Sequence, residues 1–285
     1  MSEFKRKVAV VTDSTSSLTP AMGKQYGLHV IPEYVMFGDQ SYYDGVNLDA
    51  ETFYRLLKNS KKLPTTSQPS IQDFVKLYSD LSEKAEAIVS IHISQKMSAT
   101  LDSARGACQQ LPGVAIQVID SQSVSMGLGV IAIAAARAAA AGKEVNEVVS
   151  LVEALVPRVN VIFAVDTLEY LYKGGRIGGA TALMGSVLSI KPVLYIKEGR
   201  IEPLEKARTK KRAIERVLDL MAERVGSTEG LHAAIMHCNV PEEAHVLGEQ
   251  VKARFHPDEL IVTEAGPIIG THSGPGTLGV VFYNE

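Results

Sequence analysis

Up to about residue 155, short β-rich runs alternate with longer helical ones, and this alternation constrains the fold more than any other feature of the chain. Val8–Val11, Ala87–Ile93 and Val114–Ile119 are the short runs. Asp49–Asn59, the stretch after Ser70, Ser98–Gln110, Ser125–Ala141 and Val145–Leu155 have helical spacing. Parallel strands need crossovers of helical length, so this order predicts a doubly wound parallel sheet with helices on both faces. The caps agree: Thr19-Pro20 opens a helix that ends at Tyr26 before Gly27, Asp49 caps the next, and Ser70 with Asp73 starts one carrying Phe74, Leu77, Tyr78 and Leu81. His29–Ile31 and Tyr34–Phe37 read as extended, with a turn at Asp39-Gln40.

After Pro157 the texture changes. Strands are predicted at Val159–Val165, Val193–Ile196, Ile201–Leu204, Ala233–Met236, Leu260–Glu264 and Leu278–Phe282. Helices are predicted at Leu168–Tyr172, Thr181–Leu188, Lys210–Val225 and Pro241–Phe255. Glu198-Gly199 between two strands is a hairpin turn, which requires an antiparallel or mixed sheet. The expectation is α/β throughout: an N-terminal parallel, doubly wound domain over residues 1–156 and a C-terminal α/β domain with a mixed or antiparallel sheet over residues 157–285.

Composition removes several functions. A net charge of −3 provides no basic field for nucleic acid. Cys108 and Cys238 lack CxxC or ligand spacing and read as reduced thiols of a cytosolic protein. The first residues form a strand and not a signal peptide, and the apolar run Met126 to Ala141 carries Arg137 and is too short for a bilayer, so it reads as a buried helix. With neither HExxH nor HxH, no catalytic zinc is expected.

In an open parallel sheet, ligands bind outside the carboxyl ends of the strands. Three hydroxyl-bearing segments are expected there: Asp13–Ser17, Ser94–Thr100 and Asp120–Ser125. Ser98 stands where a strand passes into a helix, as a cap or as an anion ligand. Asp13 is like a phosphatase nucleophile, but Thr15 occupies the place of the second aspartate. A further stretch, TTSQP at 65–69, is bracketed by Pro64 and Pro69 and reads as a rigid corner presenting hydroxyls and N–H groups.

The segment GTHSGPG at 270–276 reads as extended, places His272 beside Ser273, and has glycines suited to close approach. Neighbouring side chains diverge, which counts against a Ser273–His272 pair. KGGRIGG at 173–179 offers a phosphate nest or a basic loop facing a partner, and lacks P-loop spacing. Gly127-Leu128-Gly129 imitates a dinucleotide fingerprint, but it lies inside an apolar helix, so a nicotinamide site is set aside.

The motifs VAVVTDSTSSL, LPTTSQPS, ISQKMSATLDSA, VIDSQSVSMGLG, LEYLYKGGRIG, KPVL and GTHSGPGTLGV occur in this order along essentially the whole chain, and the sequence resembles the DegV family. The resemblance implies a long-chain fatty acid bound between the two domains and no other cofactor. It also implies presentation of that acid to a separate ATP-dependent kinase subunit, which phosphorylates the carboxylate for phospholipid synthesis in a bacterial cytoplasm. Carried over by position, the carboxylate ligands are Thr66, Ser98 and His272, with Thr65, Ser67, Ser94, Gly270 and Thr271 nearby. Arg176, with Lys173, falls in the partner-docking position. Two departures stand out: Ala99 replaces the usual glycine after Ser98, and Gln95 replaces a frequent serine. Ala99 costs little in helical backbone and more at positive φ. The chain is expected to bind and not to turn over. Its rivals are a serine hydrolase using Ser98 or Ser273 with His272, and a kinase-like enzyme using the KGGRIGG loop.

Overall fold

The computed structural model describes residues 5–285, apart from the side chains of residues 185–189. In chain order the first half runs β1 (Arg6–Asp13), α1 (Pro20–Tyr26), β2 (Leu28–Ile31), β3 (Tyr34–Phe37), β4 (Gln40–Tyr43), α2 (Ala50–Asn59), β5 (Thr65–Ser67), α3 (Ile71–Ser82), β6 (Ala85–His92), α4 (Thr100–Gln110), β7 (Ala115–Asp120), α5 (Met126–Ala140) and α6 (Val145–Leu155). The second half runs β8 (Asn160–Ala164), α7 (Glu169–Lys173), a 3-10 stretch (Gly178–Ser189), β9 (Lys191–Lys197), β10 (Arg200–Ala207), α8 (Lys210–Arg224), β11 (Leu231–His237), α9 (Pro241–Phe255), β12 (Glu259–Glu264), α10 (Pro267–Ser273) and β13 (Leu278–Asn284).

The expected α/β class and parallel sheet are present. β2-β1-β6-β7 is parallel throughout. Val8 and Val10 of β1 face the core around α5, while Ala9 and Val11 face α3 and α4. This two-sided burial explains the unbroken apolar runs. The second sheet has the order β10-β9-β8-β13-β11-β12 and is antiparallel except for β11 beside β12. One face carries α8 and α9, and the other faces α5.

The layers are therefore helices, parallel sheet, helices, mixed sheet, helices. α5 occupies the middle layer, packed against β1, β2 and β6 on one side and β11 and β13 on the other. It is buried for nearly its whole length and has no polar face apart from Arg137 in its last turn, which is exposed. None of the described helices is long and apolar enough to cross a membrane.

The caps follow the sequence. Ser70 and Asp73 form a reciprocal capping box, Thr19 and Asp49 accept from Met22 and Thr52 amides, and Gly27 ends α1 at φ 68°. The turn at residues 198–199 has φ of 49° and 77°, as a tight hairpin demands.

Five local expectations are corrected. TTSQP is a short strand, β5, in a third, antiparallel sheet β4-β3-β5 that the alternation did not reveal. The turn after β3 is at Gly38-Asp39, and Gln40 already belongs to β4. GTHSGPG begins as helix, because Pro267 sets the first turn of α10. α4 starts at Thr100, with Ser98 outside it. The helix expected at Thr181–Leu188 is a 3-10 stretch.

Candidate functional site

Thr66 occupies the middle of β5, opposite Val35 of β3, so its side chain points away from those of Thr65 and Ser67. α10 brings His272 across to it, leaving 2.8 Å between Thr66 Oγ1 and His272 Nε2. Gly270 makes that approach possible: a Cβ there would lie 2.6 Å from the Phe53 ring and 2.8 Å from the Tyr54 hydroxyl. Behind β6 the chain turns tightly. The Ser94 amide donates to Ser123 O (2.9 Å), the Ser98 amide to Ser94 O (3.1 Å), and Ser94 Oγ to Gly199 O (2.9 Å). This turn delivers Ser98, whose Oγ is 2.8 Å from Thr100 Oγ1. Ala99 has φ −85° and ψ 12°, so its side chain brings no positive-φ strain.

Thr66, Ser98 and His272 line one cavity, together with Glu33, Ser125, Arg176, Ser273 and Thr277. The remaining wall is mostly apolar: Ile93, Met97, Val124, Val161, Phe163, Leu171, Ile201, Met236, Ile268 and Ile269. The lining comes from β8, β10 and β11 of the mixed sheet, from β5, and from the loops that follow β2, β6 and β7 at the carboxyl edge of the parallel sheet. The result is a hydrocarbon-like chamber with a polar cluster.

Burial, reinforced by the Arg176 charge, lowers the pKa of His272 to about 4. The ring is neutral at neutral pH and has one N–H to give. Its Nδ1 is buried without a partner. Arg176 is exposed at the rim; its Nε donates to Met97 O (3.1 Å) and its Nη1 to Gly174 O (2.6 Å). It thus touches the cavity as well as solvent.

Lys173 lies outside the lining and pairs with Glu169. Thr65 is exposed, and Thr271 Oγ1 donates within its own helix to Pro267 O. Ser67, Ser94, Gly270 and Thr271 likewise surround the cavity without lining it.

The rival chemistries lack their geometry. The described hydrogen bond of His272 goes to Thr66, while Ser273 Oγ donates to Ile269 O (2.8 Å) and Ser98 is engaged by Thr100. No activated serine results. In the KGGRIGG loop the amides of Gly174, Gly175 and Arg176 are bonded to the carbonyls of Tyr170, Tyr172 and Leu171, so they do not form a nest of free donors. Asp13 is fully buried and fully engaged: it accepts from the amides of Thr15 and Ile93 and from Thr15 Oγ1, and lies 2.9 Å from His92 Nδ1. It bolts the ends of β1 and β6 together and is no nucleophile.

Sequence reasoning missed Glu33 and Thr100 as its partner. Glu33 is 3% exposed, with its Oε1 2.6 Å from Thr100 Oγ1. Burial pushes its carboxyl well above the usual range, and the nearby Asp13 adds to the shift. Ser125 has φ 55° and is 2.8 Å from Ser17, itself at φ 58°. A single glutamate after Pro32 has no pattern to find; the hydroxyl-rich ends of the first and third strand loops did point to Ser17 and Ser125.

The family model described as an uncharacterised protein of the DegV family matches residues 7–285. A DegV family protein from Thermus thermophilus described for its fatty acid binding is 35% identical, with a TM-score of 0.93 over 98% of this chain and 100% of that one. DegV of Bacillus subtilis, described as a fatty acid binding protein, gives 35% and 0.92 over 99% and 100%. A DegV family protein from Ruminococcus gnavus whose structure is described with vaccenic acid gives 26% and 0.87 over 98% and 100%. The chain belongs to the DegV family.

Proposed function

We propose that the protein binds a long-chain fatty acid in the cavity, with Thr66, Ser98 and His272 holding the carboxylate and the apolar wall holding the acyl chain. The observation that supports this most is the pairing of a small polar cluster with an otherwise hydrocarbon lining. Hydroxyls and an imidazole form charge-assisted bonds to a carboxylate. Each buried methylene adds about 0.8 kcal/mol, enough over a long chain to exceed the cost of ordering it. Relatives described as fatty acid binding proteins support the same ligand class.

The reading extends to two domains, residues 1–156 and 157–285, with the ligand between them and no other cofactor. Support comes from the order of the strands: those of the parallel sheet end at Asp120 and those of the mixed sheet begin at Asn160, and the cavity draws on both. The acid is then presented to a separate ATP-dependent kinase subunit in the bacterial cytoplasm, and the protein acts as carrier and not as catalyst. Exposed Arg176 and Lys173 near the cavity rim are the docking candidates.

Mass spectrometry of the purified protein, native and then denatured, tests the central point. A stoichiometric long-chain fatty acid released on denaturation is the expected result. A protein that is empty and also refuses added fatty acid overturns the reading.

A further inference from the structure

Glu33 is held rigidly at the polar end of the cavity. Its amide donates to Ser14 Oγ (3.0 Å), and its carbonyl accepts from the Asp44 amide (3.0 Å). From its side chain a row of three oxygens leads to the ligand site: Glu33 Oε1, Thr100 Oγ1 at 2.6 Å, and Ser98 Oγ at a further 2.8 Å. Both separations serve a hydrogen bond in either direction. Each hydroxyl has one proton, so a Thr100 that donates to Glu33 has none left for Ser98.

With Glu33 ionised, Thr100 must donate to it and Ser98 must donate to Thr100. Ser98 then turns only lone pairs toward the cavity, and a carboxylate arriving there meets no donor. With a proton on Glu33 Oε1 the row is free to reverse: Glu33 donates to Thr100, Thr100 to Ser98, and a carboxylate in the cavity draws the Ser98 proton toward itself. An ionised Glu33 also shares the cavity with the ligand, placing two like charges in one buried space.

We propose that Glu33 is a positioning residue for carboxylate recognition: as a neutral carboxyl it aligns the Thr100 and Ser98 hydroxyls so that Ser98 donates to the ligand. The proton comes from solvent, the two hydroxyls rotate, and no bond to the ligand is made or broken. This inference rests on fatty acid binding in the cavity. It adds a selection rule, since the site holds an anionic head group more tightly while Glu33 keeps its proton.

The surroundings favour the neutral form. Glu33 is buried, and Asp13 at the end of β1 and Asp44 after β4 both oppose a negative charge there. The Thr100 hydroxyl bonded to it and Arg176 at the rim, after α7, favour the charged form, and burial with the Asp13 charge outweighs them. His272 on α10 is neutral and leaves the balance unchanged.

The test is the affinity for dodecanoate and for 1-dodecanol, both below their aggregation concentrations, from about pH 6 to about pH 10, a range in which dodecanoate stays ionised. The wild-type protein should lose dodecanoate affinity roughly tenfold or more as pH rises, the equivalent of one bond to a charged group. It should keep its affinity for 1-dodecanol, which can donate to the Ser98 lone pairs. Glu33→Gln, with an amide that donates to Thr100 at every pH, should bind dodecanoate with a flat profile. Asp44→Asn, a control for the other buried carboxyl nearby, should keep the fall but move it to lower pH, because it removes a charge that opposes ionisation of Glu33.

A Glu33→Gln profile that still falls like the wild type, or a fall that Asp44→Asn abolishes instead, overturns the proposal. If no variant binds either ligand, the fatty acid reading fails. Infrared spectroscopy then still decides for Glu33: a protonated-carboxyl band present at neutral pH and absent in Glu33→Gln is expected, and identical spectra count against it.

Discussion

Gly174 is the residue that leaves His272 its place. Its backbone is helical, φ −77° and ψ −7°, so alanine meets no strain in the main chain, yet a Cβ there collides with His272 Nδ1. Gly174→Ala should therefore fold normally and displace the imidazole. The expected result is fatty acid binding weakened by about 1–3 kcal/mol with thermal unfolding little changed, checked by titration and calorimetry on the same sample. Thr66→Ala and Ser98→Ala should each lose a similar amount; unchanged retention in both would remove the carboxylate from this cluster.

His272 also makes a pH prediction. Its pKa falls from an ordinary 6.5 to about 4 on folding, so below about 6.5 the unfolded chain binds a proton that the folded chain refuses. Stability is thus lost as pH falls from about 6.5 toward 4, by up to about 3 kcal/mol. His272→Gln should flatten that part of the denaturation profile. Thr66, Ser98 and His272 were legible as residues because each sits in a stretch marked by prolines, hydroxyls or glycines. Glu33 was not, since only the fold brings it to Thr100.

Among the elements, α5 is closely packed on both sides. A Cβ at Gly127 would lie 2.6 Å from Val161 of β8, and one at Gly129 would lie 2.7 Å from Ser16 O. Glycine in a helix costs about 1 kcal/mol relative to alanine, so propensity alone favours Gly127→Ala. Overpacking against β8 outweighs that gain, with a typical cost of about 1–3 kcal/mol. The variant should melt lower than the wild type; a higher melting temperature would show that the interface yields. The apolar run of α5 announced burial but not its two sheets, because periodicity records whether a face is dry and not what dries it. The same limit hid the short β4-β3-β5 sheet and made α10 look extended: a three-residue strand and a glycine-bearing helix of two turns are both too short for a pattern to develop.

At the scale of the molecule, the main core cluster includes Val10 and Ile91 of the parallel sheet and Phe163 and Val281 of the mixed sheet, joined through Leu128 and Ile131 of α5. A shared core argues for one cooperative transition despite the two-domain division proposed for the chain. Circular dichroism and tyrosine fluorescence should give coincident unfolding curves, and two separated transitions would contradict this. Added fatty acid should move the single transition upward, by about 2.7 kcal/mol when free ligand is a hundredfold above its Kd. The overall architecture was the most legible level, because alternating strands and helices leave few ways to close a parallel sheet.

The mixed sheet has a further consequence for biogenesis. β13 lies at its centre, between β8 and β11, yet it follows every other strand of that sheet along the chain. On the ribosome the flanking strands emerge with a gap between them that no earlier segment fills. The parallel layer can settle during synthesis, whereas the mixed layer has to wait for β13 and for the α10 segment just before it. His272 belongs to that late segment. On the proposed function, a nascent chain is thus unable to load a fatty acid until the wall bearing His272 has closed, and the order of translation sets the earliest moment of capture.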